Sequence, residues 1–196
     1  MAATADCRRQ SKQRRRLGAI CAALEPSPLG ANSSRRLVTG PATPGEGFAT
    51  MDLSGRVALV TGGGQGLGGT IALAMARAGA DVVLSYSTSG DRAMAIGEEI
   101  LGMGRRAVAF QADVGDTAQC TALAEKAEKA YGQIDILISN AGMGQGNGVV
   151  NTTDDEWDRT MNVNARATFA LARCLLPGMV SRKFGEFHAL LLGATL

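Results

Sequence analysis

"RVALVTGGGQGLGGTIALAMARAGA", residues 56–80, decides how this chain folds. It opens on an apolar run, RVALVT (56–61), with the length and composition of a strand buried on both faces. It closes on GGTIALAMARAGA (68–80), which is helical in composition. Between them stands TGGGQGLG (61–68). Such a turn suits an anion. A pyrophosphate has to approach bare backbone N–H groups at a helix N-terminus, where unpaired donors and the helix dipole favour negative charge. A Cβ at Gly62, Gly66 or Gly68 obstructs the turn, the ligand's approach or helix–strand packing. Glycine occurs in any turn; the strand before it and the helix after it make this one a nucleotide-binding signal.

Working outward, short apolar runs alternate with helical stretches. DVVLSY (81–86) reads as a second strand, followed by a helix over about 91–103. RAVAFQ (106–111) is a third strand, TAQCTALAEKAEKAY (117–131) a helix, and IDILIS (134–139) a fourth strand. This rhythm predicts an α/β fold, a doubly wound parallel sheet with helices on both faces and right-handed crossovers. After a loop, TTDDEWDRTMNVNARATFALARCLLPGMV (152–180) reads as one helix. Thr152 or Thr153 caps it, three acids in its first turn suit the dipole, and Pro177 is expected to kink or end it. FHALLLGA (187–194) has the composition of an edge strand.

Composition narrows the function. Of 196 residues, 45% are apolar, only 4% aromatic, and 26 are glycine, which fits small-residue contacts between helices and a sheet. The net charge of +2 is unevenly spread. Residues 1–50 hold eight Arg/Lys against three Asp/Glu, whereas residues 51–196 hold 12 against 15. The domain from Met51 onward therefore offers no charge argument for nucleic acid. No apolar run approaches the ~20 residues of a membrane span. Cys7, Cys21, Cys120 and Cys174 show neither a CxxC nor metal-ligand spacing, so no disulfide framework and no metal site is expected, and a reducing compartment is the default. Residues 1–50, rich in Ala, Arg and Ser and broken by Pro and Gly, read as a separate leader. Three readings of it stay open: a transit peptide to plastid or mitochondrion, a basic patch at RRQSKQRRR for nuclear import or nucleic acid, or a disordered extension of a cytoplasmic protein. Met51 opens MDLSGRVALVTG and would itself serve as a start.

The motifs now carry a resemblance. TGGGQGLG resembles the T-G-x3-G-x-G turn of the short-chain dehydrogenase/reductase family. ADV (112–114), SNAG (139–142) and MNVNARATFAL (161–171) resemble three further family motifs in the right order, so the likeness runs over about residues 52–184. Its tone is similar to the 3-oxoacyl-carrier-protein reductase branch of fatty acid biosynthesis and to the glucose dehydrogenase branch. The resemblance implies an oxidoreductase in which Gly62, Gln65, Gly66, Leu67 and Gly68 hold the cofactor's pyrophosphate. It implies that Asp113, beside Val114, bonds the adenine amino group. Asn140, Ala141 and Gly142 would line the nicotinamide side, and Asn164 would be the catalytic asparagine that holds a water in a proton relay. It also implies a small-molecule or carrier-bound carbonyl substrate and homo-oligomers in complete members.

The end of the second strand bears on which cofactor. An acid there would grip a ribose 2′-hydroxyl and repel a 2′-phosphate. Ser87, Thr88 and Ser89 stand in its place with Arg92 nearby, so NADP is expected, with NAD as the alternative. Gln65 occupies the position where NADP-preferring members often carry a basic residue.

The family's reaction centre pairs a serine with a tyrosine and, four residues on, a lysine, which together tune proton transfer. Laying GEFHALLLGATL (185–196) on the strand that carries the serine puts Leu191 and Leu192 in the serine positions. Neither Tyr86 nor Tyr131 is followed by a lysine four residues later. The expectation is a C-terminally incomplete member, with a divergent tail over 185–196, that binds a nucleotide and does not turn over. The alternatives are a non-catalytic nucleotide-binding or dimerising fragment and a chain too short to fold. Residue by residue, plainer roles also fit: Asp113 as a turn former, Asn140 as purely structural, Asn164 as a solvated polar position, Trp157 as packing and His188 as incidental.

Overall fold

The strands form where apolar residues run without interruption. The computed structural model describes residues 52–144, 146 and 148–190. β1 (Val57–Val60) and β2 (Asp81–Tyr86) follow the apolar runs, as do β3 (Ala107–Gln111) and β4 (Ile136–Ser139). β5 (Glu186–Ala189) follows the last helix. All pair in parallel, in the order β3-β2-β1-β4-β5. Period-two alternation sorts β1 onto two cores. Val57 and Leu59 join Val83 and Leu137 on one face; Ala58 and Val60 join Val82, Leu84, Ile136 and Ile138 on the other. Every residue of β1 and β4 is buried, as a strand covered on both faces requires.

Three of the helices are those the sequence predicts, and a fourth, Asp154–Met161, is the first part of the stretch read as a single helix. α1 (Gly66–Arg77) and α2 (Gly90–Gly102) cover one face. α1 buries only Gly68, Gly69, Ala72 and Ala76, so its axis lies close against the strands. α3 (Thr117–Tyr131) starts at Asp116, whose carboxylate accepts from the Ala118 N–H. It ends at Gly132 in the left-handed region at φ 82°, with the Gly132 N–H donating to Glu128. α4 (Asp154–Met161) opens with a capping box: the Thr153 hydroxyl accepts from the Glu156 N–H, and the Glu156 carboxylate accepts from the Thr153 N–H.

Three expectations are corrected. The stretch over 152–180 is not one helix. After α4 the backbone widens into a π-turn at Asn162–Arg166 before α5 (Ala167–Ser181) resumes. Pro177 does not end α5, which runs on to Ser181. Its missing N–H removes one backbone bond, and Ala170, Leu171, Leu175 and Met179 anchor the helix by burial. Trp157 is 59% exposed and so does not serve as core packing. The edge strand expected near the end is present as β5, its side chains largely exposed. Residues 1–51 and 191–196 lie outside the described residues, and with them the leader, its Cys7 and Cys21, Leu191 and Leu192. Among the described residues no helix is long and apolar enough to cross a membrane.

One buried charge holds the base of the sheet. Asp135, 1% exposed, sits just before β4. Its carboxylate accepts from the Val57 N–H at 3.0 Å and from the Gln133 amide at 3.0 and 3.2 Å, with Arg56 and Arg182 each 3.9 Å away. It thus ties the starts of β1 and β4 together. Asp135→Ala would leave the Val57 N–H without its partner and remove the carboxylate facing Arg56 and Arg182, which keep Phe184 and the Ile134 carbonyl as neighbours. We expect a loss of roughly 3–5 kcal/mol, read as a lower urea midpoint at unchanged slope.

Cys120 is also buried, and its thiol donates to the Val114 carbonyl at 3.1 Å. Burial, with the neighbouring Cys174 thiol second, pushes its pKa up to about 11. A raised pKa keeps the neutral thiol at ordinary pH, and the thiolate is the reactive form. Iodoacetamide at pH 8 should therefore leave Cys120 unlabelled in the native chain and label it in urea, by mass spectrometry. Equal labelling rates would contradict this.

Candidate cofactor site

The carboxyl ends of β1 and β4 are stitched together at Thr61. Its hydroxyl accepts from the N–H groups of Asn140 and Ala141, each at 3.0 Å. The Asn140 side-chain amide returns a bond to the Thr61 carbonyl at 2.9 Å. Thr61 and Asn140 are 1% and 7% exposed, so these bonds are shielded from water. They fix the glycine turn against the segment leaving β4.

The turn needs its glycines for two different reasons. Gly62 and Gly66 have φ of 64° and 54°, a region that side chains with a Cβ rarely enter. Gly68 is a matter of space: a Cβ there would collide with the Gly62 carbonyl and the Asn140 amide. Nothing in the protein lies within 4 Å of where a Cβ at Gly66 would be. That side of the turn faces open space. Gln65, at the N-cap of α1, makes no side-chain cap bond, so the first N–H groups of the helix keep their capacity for an outside acceptor.

A cleft of about 380 Å³ opens at this point. Its walls include Gly62, Gln65, Gly66, Leu67 and Gly68 from the turn, Ser87 after β2, Asp113 and Val114 after β3, and Asn140, Ala141 and Gly142 after β4. Eleven residues singled out in the sequence thus meet on one concave surface. Asn164 does not line it. It stands one layer behind, in the π-turn, where its carbonyl oxygen accepts from the Met143 N–H and its amide donates to the Met143 carbonyl, both at 2.8 Å. Its side chain braces the loop that forms the cleft wall, rather than lying as a solvated polar group. π-turns are frequent at functional sites.

Asp113 is more committed than the sequence suggested. The Arg159 guanidinium donates to its two carboxylate oxygens at 2.9 and 3.0 Å, and the Gly115 N–H donates to Oδ1 at 2.9 Å. A carboxylate oxygen accepts about two bonds, so Oδ2 retains room for one more donor, such as a base amino group. Arg159 was missed in the sequence because 46 residues separate it from Asp113 and no local spacing links them. Ser85 was missed as well. It is 1% exposed on the cleft wall, and its hydroxyl has no partner. A lone polar residue inside the apolar run DVVLSY was the available signal.

A strand-turn-helix with an open helix N-terminus, at the edge where a parallel sheet changes direction, binds a nucleotide in many proteins. Comparison with known proteins agrees. Residues 56–187 match the family model described as short chain dehydrogenase. The chain is 41% identical over 124 residues to a probable tetrahydroxynaphthalene reductase of Zymoseptoria tritici, covering 63% of this chain and 46% of that protein. It is 44% identical over 121 residues to a versicolorin reductase of Emericella nidulans, covering 62% and 46%. It thus spans about half the length of these curated relatives. A Burkholderia cenocepacia short chain dehydrogenase, solved in complex with NADP, superposes with a TM-score of 0.63 at 39% identity, covering 64% of this chain and 51% of that one. A metagenomic short-chain oxidoreductase, also solved with NADP, does so with a TM-score of 0.66 at 34% identity, covering 69% and 62%. The relatives named here are not 3-oxoacyl-carrier-protein reductases, the branch suggested by the motifs. By the match over 56–187, with the sheet order and glycine turn described above, the chain belongs to the short-chain dehydrogenase family.

Proposed function

We propose that this chain is the nucleotide-binding part of an NADP-dependent oxidoreductase that reduces a carbonyl to an alcohol. The observation that carries the reading is the bare N-terminus of α1 over the open side of Gly66, facing a cleft of about 380 Å³. The residues present fit the cofactor. The glycine turn offers uncommitted N–H donors for a pyrophosphate, and Oδ2 of Asp113 can accept from an adenine amino group. No acid follows β2 to repel a 2′-phosphate, since Ser87, Thr88 and Ser89 stand there. When bound, the cofactor supplies the hydride.

The chain's own residues do the rest of the work available to it. Thr61 and Asn140 hold the turn and the β4 exit at fixed separation. Asn164 positions the Gly142–Met143 loop beside the expected nicotinamide, and Arg159 fixes Asp113 on the adenine side. Proton transfer to the substrate oxygen calls for a positioned acid, which contributes roughly 10²–10⁴-fold in such reactions. The Tyr-x-x-x-Lys pair that resemblance would assign to it does not occur in the 196 residues. Substrates of the kind named for the two curated relatives, hydroxylated naphthalenes and versicolorin, stand ahead of a 3-oxoacyl carrier protein. A fatty-acid role loses its support accordingly.

Two outcomes are expected. NADPH fluorescence titration of the full chain should show binding, and Gly66→Val should abolish it by placing side-chain bulk where the pyrophosphate sits. Circular dichroism would confirm that the variant folds, and unchanged titration by a folded variant would sink the assignment. In a hydride-transfer assay, the 196-residue chain should show no turnover above background. The same chain extended with a family-type continuation carrying Ser, Tyr and Lys should turn over. Equal rates would show that other residues transfer the proton.

A further inference from the structure

We propose that Ser139 and Thr168 position the nicotinamide half of the cleft: their two hydroxyls clamp the head of α5 to the end of β4 and so set where Asn164 holds Met143. This inference rests on the dinucleotide reading above and gives a role to two residues outside the cleft lining.

The partner that Thr168 takes is the first sign. A threonine inside a helix commonly donates to the carbonyl four residues back. Thr70, Thr121 and Thr160 do so here, at 3.1, 3.1 and 2.8 Å. The residue four back from Thr168 is Asn164, in the π-turn. Thr168 reaches off the helix instead, and its Oγ1 lies 2.7 Å from the Ser139 Oγ. Ser139 is 4% exposed at the end of β4, so the pair is shielded from water and loss of one hydroxyl strands the other.

The second sign is where the pair falls along the chain. The segment from Ser139 to Met143 is held at three successive points. Ser139 meets Thr168, Asn140 and Ala141 donate to Thr61, and Met143 exchanges two bonds with Asn164. The Ser139 carbonyl also accepts from the Leu190 N–H at 2.9 Å, which fixes the same residue from the β5 side. Thr168 and Asn164 stand four residues apart, about one helical turn. A slide of α5 along β4 at Thr168 therefore carries Asn164 with it, and Met143 follows. Burial of Ala167, Ala170 and Leu171 presses the helix onto the sheet, but apolar contact is non-directional and permits such a slide. A 2.7 Å hydroxyl pair does not. The glycine turn leaves β1 and Asp113 follows β3, which lies on the far side of β1 from β4. The clamp thus acts on the β4 side of the cleft and leaves the adenosine side alone.

The test is isothermal titration of the full chain with NADPH and with 2′,5′-ADP, which carries only the adenosine half. Thr168→Val keeps the side-chain shape and removes one hydroxyl; Ser139→Ala removes the other. Each should weaken NADPH roughly fivefold and leave 2′,5′-ADP within about twofold, which also shows the variant is folded. The double variant should lose no more NADPH affinity than either single one. Thr168→Ser, which keeps a hydroxyl, should restore binding, and amide exchange at Met143 should quicken in Thr168→Val. Ser139→Ala carries the same expectation by itself should Thr168→Val not fold. If the variants lower both affinities equally, or lower neither, the pair does not position the nicotinamide half. If wild type binds NADPH no more tightly than 2′,5′-ADP, this inference is refuted and the nucleotide reading stands. If 2′,5′-ADP does not bind at all, the dinucleotide reading fails and this inference with it.

Discussion

The cleft exists because one hydroxyl accepts two backbone N–H groups. Thr61 leaves β1 and Asn140 leaves β4, strands adjacent in the sheet with 79 residues of chain between those two positions. From β1 the sheet extends one way to β2 and β3 and the other way to β4 and β5, so the following loops part above it. The Asn140 amide satisfies the Thr61 carbonyl and reaches the Gly62 carbonyl at 3.5 Å, and so holds the turn against the segment leaving β4. Preorganisation of this kind reduces the ordering cost of binding.

The far wall depends on α4 and the π-turn. Arg159 reaches from α4 to Asp113, and Asn164 reaches from the π-turn to Met143. The two contacts lie on opposite sides of the cleft, one by the β3 exit and one by the β4 exit. A regular helix across 154–181 would rotate the residues after the break relative to those before it, so the widened turn sets how both contacts are made at once. α5, beyond the break, is then fixed by burial of Leu171, Leu175 and Met179 against the sheet.

The sheet and most helices were legible because their signals are local. DVVLSY is β2 from end to end, and TAQCTALAEKAEKAY is α3 to the residue. The glycine turn was legible for the same reason: its neighbours on the chain are its neighbours in space. What escaped detection was long-range or cooperative. Asp135 pairs with Val57 across 78 residues, and Asp113 with Arg159 across 46. The π-turn has no compositional mark, since NVNAR would pass for ordinary helix. Pro177 misled because helix propensity weighs its missing N–H and not the burial on either side of it. Trp157 misled because an isolated aromatic is usually packed, and here α4 turns it outward.

The central claim is that a rigid glycine turn, locked to the β4 exit, is the nucleotide-binding element of this chain. Amide hydrogen exchange on the full chain, with and without NADPH, tests it most directly. New protection is expected over Gly62–Gly68 and over Ala141–Met143 together, with β5 unchanged. Protection elsewhere, with the turn exchanging as fast as in the free chain, would contradict it.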